Sequence, residues 1–153
     1  MLDPCKHPGI SALVLLALCT AGALGWALMQ ATSSPGGPVE LMWDRESCAN
    51  CKMLVGEPNF AVQLQTEDGR VFAFDDPGCL ILFLEDDATP VRAIYFHHLH
   101  EGRWIGHDEV AFESVSPSPM GFGLGAIMTG DPDSIDLDEA RRRVLAIAGR
   151  EEK

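Results

Sequence analysis

Cys48, Cys51 and Met53 fall within one six-residue stretch, Cys48-Ala-Asn-Cys51-Lys-Met53, which gathers soft donor atoms in one place. Two residues between the cysteines let a tight turn aim both sulfurs at one ion, and the thioether two positions further on can join them. Thiolate and thioether ligands favour copper(I) over hard cations such as magnesium or calcium, while thiolates alone also suit zinc. The sequence has five cysteines, of which Cys5 and Cys19 belong to the N-terminal segment. Cys48, Cys51 and Cys79 are left, and three thiols cannot all pair within one chain.

Spacing separates the competing chemistries. A structural zinc site takes four protein ligands, and no second cysteine pair follows, so zinc would have to recruit histidines. Covalent haem attachment needs His directly after the second cysteine, where this chain has Lys52. A thioredoxin-like dithiol begins a helix after a strand, whereas here Trp43-Asp-Arg-Glu46 precedes the pair and Met-Leu-Val follows it. Thiol exchange through Cys48 and Cys51 stays open as the alternative function, that of a membrane-anchored thiol-disulfide oxidoreductase. So does a structural disulfide with Met53 as an ordinary core residue.

Other donors are assigned with the same comparison in view. His97, His98, His100 and His107 gather around an expected hairpin, so one imidazole, His98 or His100, can complete a site built on sulfur; for any given one of them, an exposed histidine on a turn is the simpler account. Cys79 follows Pro77-Gly78 in an apolar run and reads as a buried core thiol. Met120 lies in Ser116-Pro-Ser-Pro-Met-Gly-Phe-Gly123, where proline and glycine imply an exposed loop, so it is not simply a core methionine. Asp75 and Asp76 suggest paired catalytic carboxylates, but Asp76 before Pro77 is explained by helix capping, and no nucleophile accompanies them. The expectation is a binding protein, not an enzyme.

These residues need elements to hold them. Residues 60–65 alternate apolar and polar, Glu67-Asp68-Gly69 is a turn, and Val71-Phe-Ala-Phe74 follows, which predicts a β-hairpin. Asp76-Pro77 predicts the start of a short helix over residues 78–85, an apolar run whose length alone also fits a strand. Residues 91–97, 104–105 and 110–115 are strand-like, with Glu101-Gly102 as a turn. Asp136 and Glu139 form a capping-box pattern ahead of a terminal helix with Leu137, Ala140, Val144, Leu145 and Ala148 on its apolar side, ending near Gly149. The fold class is α+β: one small soluble domain with an antiparallel sheet and flanking helices.

Ahead of it, residues 10–29 carry no charge and are long enough to cross hydrocarbon as a helix. Lys6 precedes them and no basic residue follows until Arg45, which places residues 1–9 in the cytoplasm and the domain outside the membrane. An uncleaved anchor is preferred to a signal peptide, and lipidation at Cys19 is the weaker alternative because Leu18 stands where a lipoprotein box needs a small residue. Residues 30–40 read as a flexible linker and 41–153 as the metal-binding domain. The net charge of −12 excludes the basic footprint that nucleic acid requires.

The order of motifs adds a resemblance. Asp44…Cys48-Ala-Asn-Cys51-Lys-Met53, Asn59-Phe-Ala-Val-Gln63, Asp68-Gly69, Phe74-Asp-Asp-Pro-Gly-Cys-Leu80, Trp104-Ile105 and Ser118-Pro-Met-Gly-Phe-Gly123 follow one another as in NosL-type proteins. The resemblance covers nearly the whole domain. It implies a periplasmic copper(I) chaperone at the outer face of the cytoplasmic membrane, serving assembly of the copper centres of nitrous oxide reductase in denitrification. It carries the family's Cys-x-x-Cys-x-Met onto Cys48, Cys51 and Met53, and its Pro-Met-Gly onto Pro119, Met120 and Gly121, which makes Met120 a second candidate thioether ligand. Family members often have Gly where Lys52 stands, and they are commonly lipoproteins.

Overall fold

The computed structural model describes residues 14, 18–20 and 36–149. No helix among them is long and apolar enough to cross a membrane. The anchor expected over residues 10–29 lies outside the described residues apart from positions 14 and 18–20. The chain divides into two units, and the account below concerns the second, Pro35–Lys153.

Its centre is an antiparallel sheet of four strands, β1 (Val62–Thr66), β2 (Val71–Phe74), β3 (Val91–His97) and β4 (Trp104–Gly106), in the order β2-β1-β3-β4. The hairpin falls as its pattern predicts: Val62 pairs with Phe74 and Gln65 with Val71, and Gly69 turns the chain at φ +85°. Strand β1 departs from simple alternation, because all five of its residues are buried. The side of Gln63 and Gln65 is covered by the end of the segment read as a linker. Gln63 exchanges hydrogen bonds with the backbone of Val39, whose N–H reaches Gln63 Oε1 at 3.0 Å, and Gln65 Nε2 donates to Gly37 O at 2.8 Å. Buried amides are tolerated because each is satisfied.

A two-stranded ribbon, β5 (Val110–Ser114) with β6 (Leu124–Met128), completes the antiparallel structure. Strand β6 has no counterpart among the sequence expectations, which end at the 116–123 loop before it and resume at Asp136. At Gly125 a Cβ would meet Leu99 at 2.4 Å, so the strand keeps a glycine for close packing.

Helix α1 (Pro77–Asp86) is capped by Asp76, whose Oδ1 accepts the Gly78 N–H at 2.7 Å, with Pro77 in the first turn. Helix α2 (Leu137–Ile147) is capped by Asp136, which accepts the Glu139 N–H at 2.8 Å, and Gly149 follows its end at φ +66°. The Glu139 carboxylate is engaged by Arg142 and Arg143, so the sequence pattern of a capping box is used differently on its acidic side. Arg141 joins the helices through Glu85 at 2.8 Å. The core beneath them holds Leu64, Phe74, Leu80, Phe96, Phe112 and Val144, with Phe96 and Phe112 edge to face at 5.4 Å.

Candidate metal centre

The Cys48 motif sits on a loop that folds back on itself. Asp44 N–H donates to Val55 O at 3.0 Å and Val55 N–H to Glu46 O at 2.9 Å, while Ser47 and Leu54 form an isolated antiparallel bridge. At the tip, Cys48 N–H reaches Met53 O at 2.7 Å and Lys52 N–H reaches Cys48 O at 3.1 Å, so the turn closes around the motif. Lys52 has φ +67° and Asp44 φ +57°. A side chain in this left-handed region is strained, and glycine is the residue that adopts it freely. Ala49 N–H then donates to Ala73 O at 2.8 Å and fastens the loop to the outer edge of β2.

Helix α1 brings Cys79 to the same point. The sulfurs of Cys48, Cys51 and Cys79 lie within 4.8 Å of one another, and all three are free thiols. Cys48 and Cys79 are buried and Cys51 is half-buried. The sequence predicts a buried core thiol at Cys79. It is buried as expected, but it is buried against the other two sulfurs. The only signal for this in the sequence was its place in a motif ordered after the first pair.

The thiols share one electrostatic problem. A hydrogen bond from the Cys79 thiol is the main cause that holds Cys48 well below the ordinary thiol range, against the opposing effect of burial. The same bond, followed by burial, raises Cys79, and burial raises Cys51. The arrangement therefore stabilises a thiolate at Cys48 beside two thiols. A bound cation would relieve their mutual repulsion and displace the remaining protons. The donor set suits a soft ion of low coordination number, and it is one ligand short of the four that structural zinc takes.

Two carboxylates lie beside the thiols. Asp75 Oδ1 accepts the Gly56 N–H at 3.1 Å, and burial raises its carboxyl above the ordinary range, with the Cys48 charge adding to the rise. Asp76 is fully buried and is pushed up to about 6, chiefly by desolvation, although the N–H groups of Gly78 and Met120 pull the other way. A groove of about 410 Å³ opens beside Cys48, between Glu46, Ala49 and Lys52 of the loop and Phe72 and Phe83 of the sheet and helix.

The methionines are placed differently. Met53 is 55 % exposed. Met120, expected on an exposed loop, is half-buried and packs against the core cluster that contains Cys48 and Cys79. Its N–H donates to Asp76 Oδ2 at 3.3 Å.

Among the described residues no histidine joins the three-thiol group. His98 is buried and accepts the His100 N–H on Nδ1 at 3.2 Å, while exposed His100 pairs with Glu113 at 2.8 Å. His97 is buried with its ring edge-on to Trp43 and Trp104, and its Nδ1 makes no side-chain hydrogen bond among the described residues.

No protein-family model and no curated protein sequence matches this chain. A solved structure does: that of the copper chaperone NosL from Shewanella denitrificans, at a TM-score of 0.51 and 19 % sequence identity, over 74 % of this chain and 89 % of that one. The resemblance carried by the ordered motifs is thus met in three dimensions, and this chain shares the fold of the NosL copper chaperone.

Proposed function

We propose that this protein is a copper(I)-binding accessory protein that holds the ion through Cys48, Cys51 and Cys79 and passes it on without covalent catalysis. The observation that carries the reading is the meeting of three sulfurs within 4.8 Å on a fold shared with a copper chaperone. Soft donors select copper(I), and low coordination allows a partner's ligands to displace them stepwise. Met53 or Met120 supplies a thioether. Exposed Met53 beside half-buried Cys51 suits the exchange step, and the groove beside Cys48 supplies access. The recipient in this reading is nitrous oxide reductase or its assembly machinery, and the domain works in the periplasm, tethered to the cytoplasmic membrane by residues 10–29.

One observation favours a second reading. A Cys48 held as thiolate by Cys79 has the character of a redox-active thiol, as a thiol-disulfide oxidoreductase would need. Its complete burial counts against attack on a bulky disulfide, which makes handover of a small ion the stronger case.

Anaerobic copper(I) titration against a chromogenic chelator decides between them, with wild type, Cys48→Ser, Cys51→Ser, Cys79→Ser, Met53→Leu and Met120→Leu. Copper handover predicts tight binding that collapses without any one of the thiols and weakens without one of the methionines. Failure of the reduced wild type to compete with the chelator would overturn it and put thiol exchange first.

A further inference from the structure

Asp76 holds two segments that lie far apart in sequence. Its Oδ1 accepts the Gly78 N–H at 2.7 Å and its Oδ2 accepts the Met120 N–H at 3.3 Å, from a residue 44 positions away. The side chain is fully buried, so water is not available to replace either bond. The loop it grips is braced internally, with Gly121 N–H on Ser118 O at 3.1 Å and Gly123 N–H on Ser118 Oγ at 2.9 Å. Phe122 of the same loop lies over Gly78, where an added Cβ would stand 2.2 Å from its ring. Next door, Asp75 ties Gly56, at the end of the thiol loop, at 3.1 Å. Two successive carboxylates therefore join the thiol loop, the first turn of α1 that carries Cys79, and the Met120 loop.

We infer that Asp76 is a positioning residue of the metal centre: one oxygen caps the helix that presents Cys79, and the other holds the Met120 loop against it, so that thioether and thiols are offered to the ion together. This rests on the copper(I) reading above. A carboxylate can do both because it has two acceptor oxygens, whereas an asparagine amide has one acceptor and one donor group. In Asp76→Asn the shorter bond to Gly78 keeps the oxygen, and the amide NH₂ then faces the Met120 N–H, donor against donor. The substitution releases the loop and leaves the helix cap.

The test is a double-mutant cycle on the full chain, reading copper(I) affinity for wild type, Asp76→Asn, Met120→Leu and the pair. Asp76→Asn alone is expected to weaken binding about tenfold, as is common for groups that orient ligands. In the Met120→Leu background it should cost nothing further, which a general structural role would not produce. Selenium-edge X-ray absorption on selenomethionine-labelled Met53→Leu protein supplies a direct signature: a copper–selenium contact that Asp76→Asn removes. Additive losses, or an unchanged contact in Asp76→Asn, would overturn the inference while leaving the functional reading in place. Absence of copper(I) binding by the unmodified chain would instead sink the functional reading. If Asp76→Asn does not fold, Ser118→Ala, which removes the hydroxyl that braces the loop at Gly123 and also reaches the Asp76 carboxylate, carries the same cycle and the same outcomes.

Discussion

Helices α1 and α2 start alike, each on an aspartate whose carboxylate accepts a first-turn N–H, Gly78 on Asp76 at 2.7 Å and Glu139 on Asp136 at 2.8 Å. Beyond that bond they diverge. Asp136 is exposed and its helix shows water the arginines that pair with Glu139. Asp76 is fully buried, its helix begins with six buried residues, and its second oxygen reaches Met120. The same local device closes a helix at the surface in one place and assembles a candidate site in the other. Burial makes the difference: a carboxylate without water must find all its hydrogen bonds within the protein, and so it draws distant segments together.

The largest expected contrast lies in pH dependence. Asp76 is raised from an ordinary 3.8 to about 6 in the fold, so between those values the folded chain binds more protons than the unfolded chain. Its contribution is then a loss of stability as pH rises from about 4 to about 6, level above that. A shift of this size corresponds to on the order of 3 kcal/mol. Denaturant unfolding at stepped pH should show that loss as the difference between wild type and Asp76→Asn, which also cancels the opposite trend expected from Cys48. Parallel profiles for the two proteins would mean that Asp76 is not desolvated.

Packing gives the next contrast. Gly78→Ala places a methyl 2.2 Å from Phe122, so overpacking should destabilise the domain by about 1–3 kcal/mol in denaturant unfolding and displace the Met120 loop. No change in stability would show that Phe122 moves aside freely.

The smallest effect belongs to the surface helix. Asp136→Ala removes an N-cap and should cost about 1 kcal/mol of stability, read as a lower unfolding midpoint, with copper(I) affinity untouched. A change in affinity there would show that the two helices are coupled more closely than their caps imply.

Much of the scaffold was legible because its signals are local. Gly69 in the hairpin turn, Asp76-Pro77 and Asp136 at helix starts, and the aromatic and β-branched run of β3 each act through neighbouring residues. What escaped reading depends on distant contacts. Strand β6 has no local signal of its own, and its glycine is explained only by Leu99 packed against Gly125. The polar face of β1 looks solvent-facing until Gly37 and Val39 cover it. Met120 looks free until Asp76 takes its N–H.

The sequence by itself determined the chemistry on offer, since Cys48-x-x-Cys51-x-Met53 is a set of soft donors whose spacing alone lets two sulfurs converge. It also determined the α+β class, because turn and cap residues act within a few positions of themselves. Only the tertiary structure decided that Cys79 joins Cys48 and Cys51 within 4.8 Å, that Met53 faces solvent while Met120 is packed inward, and that no histidine among the described residues shares the cluster. Those outcomes depend on how α1 and the 118–123 loop pack across 40 or so residues of chain, and the identity of a residue does not record which distant partner will exclude water from it.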